Sequence, residues 1–300
     1  MDTRRGHPGW RAGHPGPEDG AVPFADLPSG IRICHELFGY PADPTVLLLH
    51  GLGSQMLVWD EAFCRLLADE GFRVVRSDHR DSGLSTIFDE DADPYSLSDM
   101  AADAVGLLDA LGVDAAHVVG FSLGGMVAQT VAVEHPDRCR SLVSMGSGTG
   151  HRVKGRLPDA TRKAMLAEPP DDPEGAIAKE MADLRLWASD WHSEEHARAK
   201  YEAYRRRSVQ PRHAYERQWG AARAAGNREE ALATVRVPTR VVHGTADMLV
   251  PMAAGERTAE VVPGAELIRV EGWGHDVSPG GFPLLVAAIA EHCHAAEGTA

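Results

Sequence analysis

The stretch that most constrains this chain is His117-Val118-Val119-Gly120-Phe121-Ser122-Leu123-Gly124-Gly125-Met126. β-Branched residues lead into a Gly-x-Ser-x-Gly pentapeptide, and an apolar, helix-compatible run leads out of it. A serine at such a junction sits on a sharp strand-to-helix turn, in a backbone conformation that side chains rarely adopt. Gly120 and Gly124 fit the turn because a Cβ at either position would meet the neighbouring strand or helix. A helix beginning at Leu123 aims its positive end at any negative charge that develops beside it. Lone pentapeptides of this kind also arise by chance in glycine-rich turns. The rest of the chain must therefore supply a base and hydrogen-bond donors.

The flanking pattern is one of strands alternating with helices. Thr45-Val46-Leu47-Leu48-Leu49 is a continuous apolar run, typical of a strand buried on both faces of a parallel sheet. It opens directly into His50-Gly51-Leu52-Gly53. An earlier strand is expected within 30–38. Arg73–Ser77 is the next, leading into Asp78-His79-Arg80-Asp81-Ser82-Gly83-Leu84-Ser85. Trp59, Phe63, Leu66 and Leu67 recur at helical spacing, and further helices are expected over 96–111 and 123–134, the latter ending before Pro136. Ser141–Met145 is another strand. From about 150 to 234 only helical segments rich in Ala, Arg and Glu appear. Alternation resumes with strands at 239–243 and 266–270 and helices at 252–261 and 282–293.

This order predicts an α/β fold, with a mostly parallel sheet, helices on both faces and an inserted helical lid over the carboxyl ends of the strands. The core occupies 30–149 and 235–295 and the lid 150–234. Residues 1–29, rich in Gly, Pro and charge, are expected to form a flexible tail.

A serine hydroxyl is a weak nucleophile and needs an adjacent base, itself oriented by a third polar group. Two loops after late strands offer both: His243-Gly244-Thr245-Ala246-Asp247 and Gly272-Trp273-Gly274-His275-Asp276. The candidate catalytic set is Ser122 as nucleophile, His275 as base and Asp247 as orienting carboxylate. The candidate oxyanion donors are the backbone N–H groups of Leu123, just after the serine, and Leu52, in the loop after the first apolar strand. Trp187, Trp191 and Trp219 are candidates for the substrate-binding wall. His50 and His243 are read as loop-holding groups and Asp276 as a loop-bracing acid. Asp78 and Arg80 are expected to pair within their loop; Asp81 either braces the same loop, the favoured option, or points into the pocket. Arg205-Arg206-Arg207 is expected to be a solvated helix face.

Composition limits the partners. The net charge of −14 over 300 residues disfavours binding to nucleic acid or anionic membrane. No apolar stretch approaches the ~18 residues of a membrane span, and residues 1–29 lack the apolar segment of a secretory signal. Cys34, Cys64, Cys139 and Cys293 have neither metal-ligand nor disulfide-framework spacing. The expectation is a cytoplasmic enzyme of a small-molecule substrate, with no metal and no cofactor.

Together, His50-Gly51-Leu52-Gly53, the Asp78–Ser85 loop, Gly120–Gly124, Asp247 and Gly274-His275 resemble the α/β-hydrolase superfamily across residues 30–295. The order Ser122, Asp247, His275 is the one that fold uses. The loop Asp78-His79-Arg80-Asp81-Ser82-Gly83, with Arg217-Gln218 and Trp219, further resembles the actinobacterial branch that includes aclacinomycin-type methylesterases, which cleave a methyl ester on a polyketide. Common relatives carry Gly where Asp81 stands. The resemblance implies a serine carboxylic-ester hydrolase with an acyl-enzyme intermediate, acting in antibiotic-type secondary metabolism. It also implies an alternative, because lyases, cyclases and cofactor-free oxygenases share the triad and use the histidine as base; here that base is His275. Dehalogenation and epoxide hydrolysis call for Asp at the position of Ser122.

Overall fold

A computed structural model describes residues 23–151 and 158–298 of the chain. Eight strands form one sheet: β1 (Phe24–Asp26), β2 (Arg32–Phe38), β3 (Thr45–Leu49), β4 (Arg73–Ser77), β5 (Ala116–Phe121), β6 (Cys139–Met145), β7 (Thr239–Gly244) and β8 (Glu266–Val270). Their order is β1-β2-β4-β3-β5-β6-β7-β8. β2 runs antiparallel to both of its neighbours, and every pairing from β4 to β8 is parallel. All carboxyl ends of that parallel set therefore open onto one edge.

Five helices pack on the sheet, beginning with α1 (Glu61–Asp69), α2 (Leu97–Ala110) and α3 (Leu123–Glu134). Between β6 and β7 the chain leaves the sheet for α4 (Asp159–Leu166), α5 (Pro173–Leu184), α6 (Glu194–Arg207), α7 (Arg212–Ala224) and α8 (Glu229–Leu232). It returns to add α9 (Met252–Val261) and α10 (Phe282–Glu297). Local signals set several boundaries. The Asp60 side chain accepts from Ala62 N–H at the start of α1, and Ser96 with Asp99 forms a reciprocal capping box on α2. Past the end of α2, Gly112 takes φ 65°, where a Cβ would be strained.

The continuous apolar run of β3 is explained by its two neighbours. Leu47 and Leu49 face a core shared with α2 and α3, while Val46 and Leu48 face a second core shared with α1 and α10. A strand covered on both faces has no polar side to alternate with. The insertion carries a smaller third core of Ile177, Met181, Leu184 and Ala197, flanked by Trp187 and Tyr201.

The expected tail of 1–29 is too long at its carboxyl end. Phe24–Asp26 pairs with β2 in the register Phe24↔Cys34, Ala25↔Ile33 and Asp26↔Arg32. Three residues are too few to show a two-residue periodicity, so the strand is set by its partner rather than by its own pattern. The remainder of that tail, 1–22, lies outside the described residues. No helix among the described residues is long and apolar enough to cross a membrane.

Candidate active site

Ser122 stands between β5 and α3 with φ 56° and ψ −118°. Asp81 is the one other non-glycine residue with positive φ among the described residues. The strain is of order 1–3 kcal/mol, and the surroundings impose it. A Cβ on Gly120 would lie 2.0 Å from the Gly124 carbonyl oxygen, and one on Gly124 would lie 2.1 Å from that of Leu49. The helix thus crosses β5 and β3 at backbone contact. The Ser122 N–H donates to Met145 O at 2.9 Å, and Ser122 O accepts from Met126 N–H (3.2 Å) and Ser147 Oγ (2.8 Å).

The candidate base, His275, lies in the loop after β8. His275 N–H donates to Trp187 O at 2.6 Å, and its ring lies 4.6 Å from the Phe121 ring, centroid to centroid, beside the residue that precedes Ser122. Gly146, at φ 50°, gives room for both rings. A Cβ there would sit 2.9 Å from Phe121 Cε2 and 3.5 Å from His275 Cε1. His275 Nδ1 is 2.7 Å from Asp247 Oδ2. The other carboxylate oxygen of Asp247 accepts from Leu249 N–H (2.9 Å) and Val250 N–H (2.7 Å), which fixes the carboxylate plane. With Nδ1 donating to Asp247, the lone pair of the neutral ring is on Nε2, the nitrogen a base would use.

Asp276, the neighbouring acid, turns elsewhere. Its Oδ1 accepts from Ser189 N–H at 2.7 Å and Ser189 Oγ at 2.5 Å, and its Oδ2 accepts from Ser278 Oγ. It ties the β8 loop to the insertion, as the loop-bracing reading expects. His243 likewise holds a turn, with Nε2 donating to Val250 O at 2.9 Å. His50 donates from Nδ1 to Gly51 O (2.8 Å) and accepts at Nε2 from His79 N–H (3.1 Å). His79 Nε2 in turn donates to His50 O at 3.0 Å. Complete burial pushes the His50 imidazole down to about 4, so both rings are neutral and rigidly placed beneath the next loop.

That loop carries Leu52. Ser54 N–H closes back to Gly51 O at 3.4 Å and Gly53 takes φ 67°, so Leu52 and Gly53 form the centre of a turn. A Cβ on Gly51 would lie 3.3 Å from Ser122 Cβ, which places the turn against the serine. Among the described residues, neither Leu52 N–H nor Leu123 N–H finds a protein acceptor. Two donors without acceptors beside one serine are suited to an anionic oxygen.

Several sequence expectations change here. Asp78 and Arg80 do not pair with each other. Arg80 points to α2 and binds Asp103 through both carboxylate oxygens, at 2.6 and 2.8 Å. Asp78, fully buried, points to the insertion and pairs with Arg207 at 2.6 Å. Arg205-Arg206-Arg207 is consequently not one solvated face: Arg206 is exposed, whereas the Arg207 side chain is only 12% exposed. Asp81 is buried and braces its loop by accepting from Phe88 N–H (3.0 Å), and it also pairs with Arg217 of α7 at 2.9 Å. Sequence reasoning missed Arg207, Tyr204 and Tyr215, which reach the loop of Leu52 and Gln55 from the insertion, because no local pattern reports a contact made across the fold.

The three tryptophans do not share one environment. Trp187 packs against the core of the insertion and Trp191 against the α1–α10 core. Trp219 is half-buried on α7 and belongs to none of the three clusters among the described residues.

Comparison with known proteins agrees with this architecture. Rhodomycin D methylesterase DauP of Streptomyces sp. (strain C5) is 28% identical over 304 residues, covering 89% of this chain and 96% of that one. The putative carbamate hydrolase RutD of Caulobacter sp. (strain K31) is 34% identical over 244 residues, covering 80% of this chain and 87% of that one. The crystal structure of a hydrolase from Pseudomonas aeruginosa PA01 superposes with a TM-score of 0.72 at 26% identity, covering 92% of this chain and 99% of that one. The methylesterase match bears out the resemblance read from the Asp78–Ser85 loop. The α/β hydrolase fold family matches residues 44–281, and the chain belongs to it.

Proposed function

We propose that this α/β-hydrolase cleaves carboxylic esters through an acyl-enzyme on Ser122. The observation that carries the reading is the strained Ser122 on the β5–α3 turn, whose preceding residue Phe121 packs on a buried imidazole held 2.7 Å from a carboxylate. Ser122 Oγ attacks the acyl carbon while His275 Nε2 takes its proton. Asp247 stabilises the imidazolium and keeps the tautomer. The oxyanion faces the N–H groups of Leu52 and Leu123 and the start of α3. Collapse of the tetrahedral species expels the alcohol, which leaves with the proton from His275. A water deprotonated by the same nitrogen then releases the acid and restores Ser122.

For the substrate, the likeness to a protein named rhodomycin D methylesterase supports a methyl ester on a polyketide-type acid. Methanol is then the leaving group and the bulky part is the acid. In this reading the insertion is the lid, with Trp219 of α7 on the acid side and Trp187 and Trp191 stiffening the part that holds His275. The enzyme would act in the cytoplasm on a small molecule, without metal or cofactor. The 34% identity to a protein named putative carbamate hydrolase supports a second reading, in which the same serine attacks a carbamate carbonyl.

Stopped-flow hydrolysis of p-nitrophenyl butyrate is expected to show a burst equal to the enzyme concentration, absent in Ser122→Ala. A parallel panel of aromatic methyl esters and carbamates, followed by methanol or ammonia release, separates the two substrate readings. Hydrolysis that survives in Ser122→Ala and needs His275 would replace the acyl-enzyme with direct attack by a water that His275 deprotonates, whereas no burst and no turnover of any ester or carbamate would favour the non-hydrolytic alternative.

A further inference from the structure

The insertion does more than cover the sheet edge, because it reaches the loop that follows β3 with buried polar groups. Arg207, the last residue of α6, lies 2.6 Å from Asp78 Oδ2 and also donates from Nη1 to Gln55 Oε1 at 3.0 Å. Asp78 is fully buried and its remaining bonds are to backbone: Oδ1 accepts from Met56 N–H at 2.8 Å and Oδ2 from Leu84 N–H at 3.0 Å. Gln55 returns one bond to α6, to Tyr204 O at 3.1 Å, and one to Ser208 O just past its end, at 2.9 Å. Ser54 Oγ meets Tyr204 OH at 3.0 Å, and Ser54 O accepts from Ser82 Oγ at 3.1 Å. Three consecutive residues after the Leu52–Gly53 turn are therefore pinned to α6 or through Asp78. On the other side of the turn, His50 is pinned by His79.

Gly83 shows that the fold makes room for this pair. It takes φ 55°, and a Cβ there would lie 2.1 Å from Asp78 Oδ2 and 2.4 Å from Arg207 Nη1. The pair occupies the space a side chain at 83 would need.

We propose that Arg207 is a positioning residue that, through Asp78 and Gln55, sets the Leu52 N–H where the oxyanion forms. This rests on the reading of Leu52 and Leu123 as oxyanion donors. Arg207 touches neither substrate nor Ser122; its effect is on where one donor points. Because the bond that matters exists only in the tetrahedral state, loosening the turn lowers kcat and leaves KM in place.

The test compares wild type with Asp78→Asn/Arg207→Met, which removes both charges, and with Arg207→Lys, using p-nitrophenyl butyrate. The readouts are kcat, KM and the inhibition constant of a short alkyl trifluoromethyl ketone, which forms a tetrahedral oxyanion on the serine. The double variant is expected to lose on the order of 10²-fold in kcat, with a matching loss of ketone affinity, unchanged KM and partial recovery in Arg207→Lys. Lys179→Met/Asp183→Asn removes a half-buried ion pair within α5, away from this loop, and is expected to lose stability while keeping kcat. If the double variant does not fold, Gln55→Leu carries the test, with a smaller loss in the same two quantities. Wild-type kcat in the folded variants, or a kcat loss without loss of ketone affinity, would overturn the proposal. Labelling by a fluorophosphonate keeps the readings apart: no adduct on wild-type Ser122 means that the serine mechanism itself has failed.

Discussion

Two carboxylates, Asp247 and Asp276, approach the His275 loop, and their hydrogen bonds divide the work between them. Asp247 spends one oxygen on the Leu249 and Val250 amides and offers the other to Nδ1 of His275. Asp276 is saturated by Ser189 and Ser278. Asp247→Asn is therefore expected to keep its fold and lose about 10⁴-fold in kcat, because an amide stabilises the wrong imidazole tautomer. Asp276→Asn is expected to stay within a few-fold of wild type in kcat while lowering the thermal midpoint. Paired kinetics and melting curves check both, and a reversed pattern would move the triad to Asp276. Gly120→Ala has a different expected outcome: 2.0 Å from a backbone oxygen leaves no rotamer escape. Loss of soluble, folded protein by circular dichroism is the readout.

At this scale the candidates Ser122, Asp247 and His275 were legible because each lies in a turn or loop that follows a strand, and the structure brings the last two within hydrogen-bond distance. What sequence did not show was the direction of a side chain once it left its loop. Asp78 and Arg80 are two residues apart, yet one points to the insertion and the other to α2.

Among the elements, the insertion was visible as a break in strand–helix alternation, and its helical content follows from its composition. Its anchoring was not visible. The insertion meets the Asp78–Ser85 loop through Arg207, Arg217 and Gln218, each matched to a partner far away in sequence. Arg217 is 8% exposed and Asp81 fully buried, so breaking one side leaves an uncompensated charge. Arg217→Met is expected to cost about 3–5 kcal/mol. Asp81→Gly/Arg217→Met is expected to recover most of that, since it removes both charges and relieves the positive φ of Asp81. Urea denaturation midpoints at constant m-value decide it; equal midpoints for Arg217→Met and the double variant would show that the unpaired Asp81 carries no penalty. β1 was illegible for another reason, because three residues carry no period and gain their structure from the antiparallel edge of β2.

For the whole molecule, buried neutral histidines govern the acid limb of stability. Burial pushes His50 and His117 down to about 4 and His79 well below its usual value. In the unfolded chain each takes up a proton near pH 6.5. Below that pH the unfolded state binds more protons than the native one, so stability falls as pH drops from 6.5 towards 4. The slope is up to about 1.4 kcal/mol per pH unit for each histidine, and above pH 6.5 their contribution is flat. Denaturation midpoints at pH 7.5, 6 and 5 are expected to show this, with a shallower fall in His117→Gln. A midpoint independent of pH over that range would contradict the neutral assignment.

The sheet, the insertion and the loops after β3, β5, β7 and β8 carry one central proposal, that Ser122 accepts an acyl group. Intact-protein mass spectrometry followed by peptide mapping, after reaction with a fluorophosphonate, tests it most directly. The predicted result is one adduct per chain on the peptide containing Ser122, lost in Ser122→Ala and strongly slowed in His275→Ala. Ester turnover by a protein that carries no adduct at Ser122, and that persists in Ser122→Ala, would contradict it.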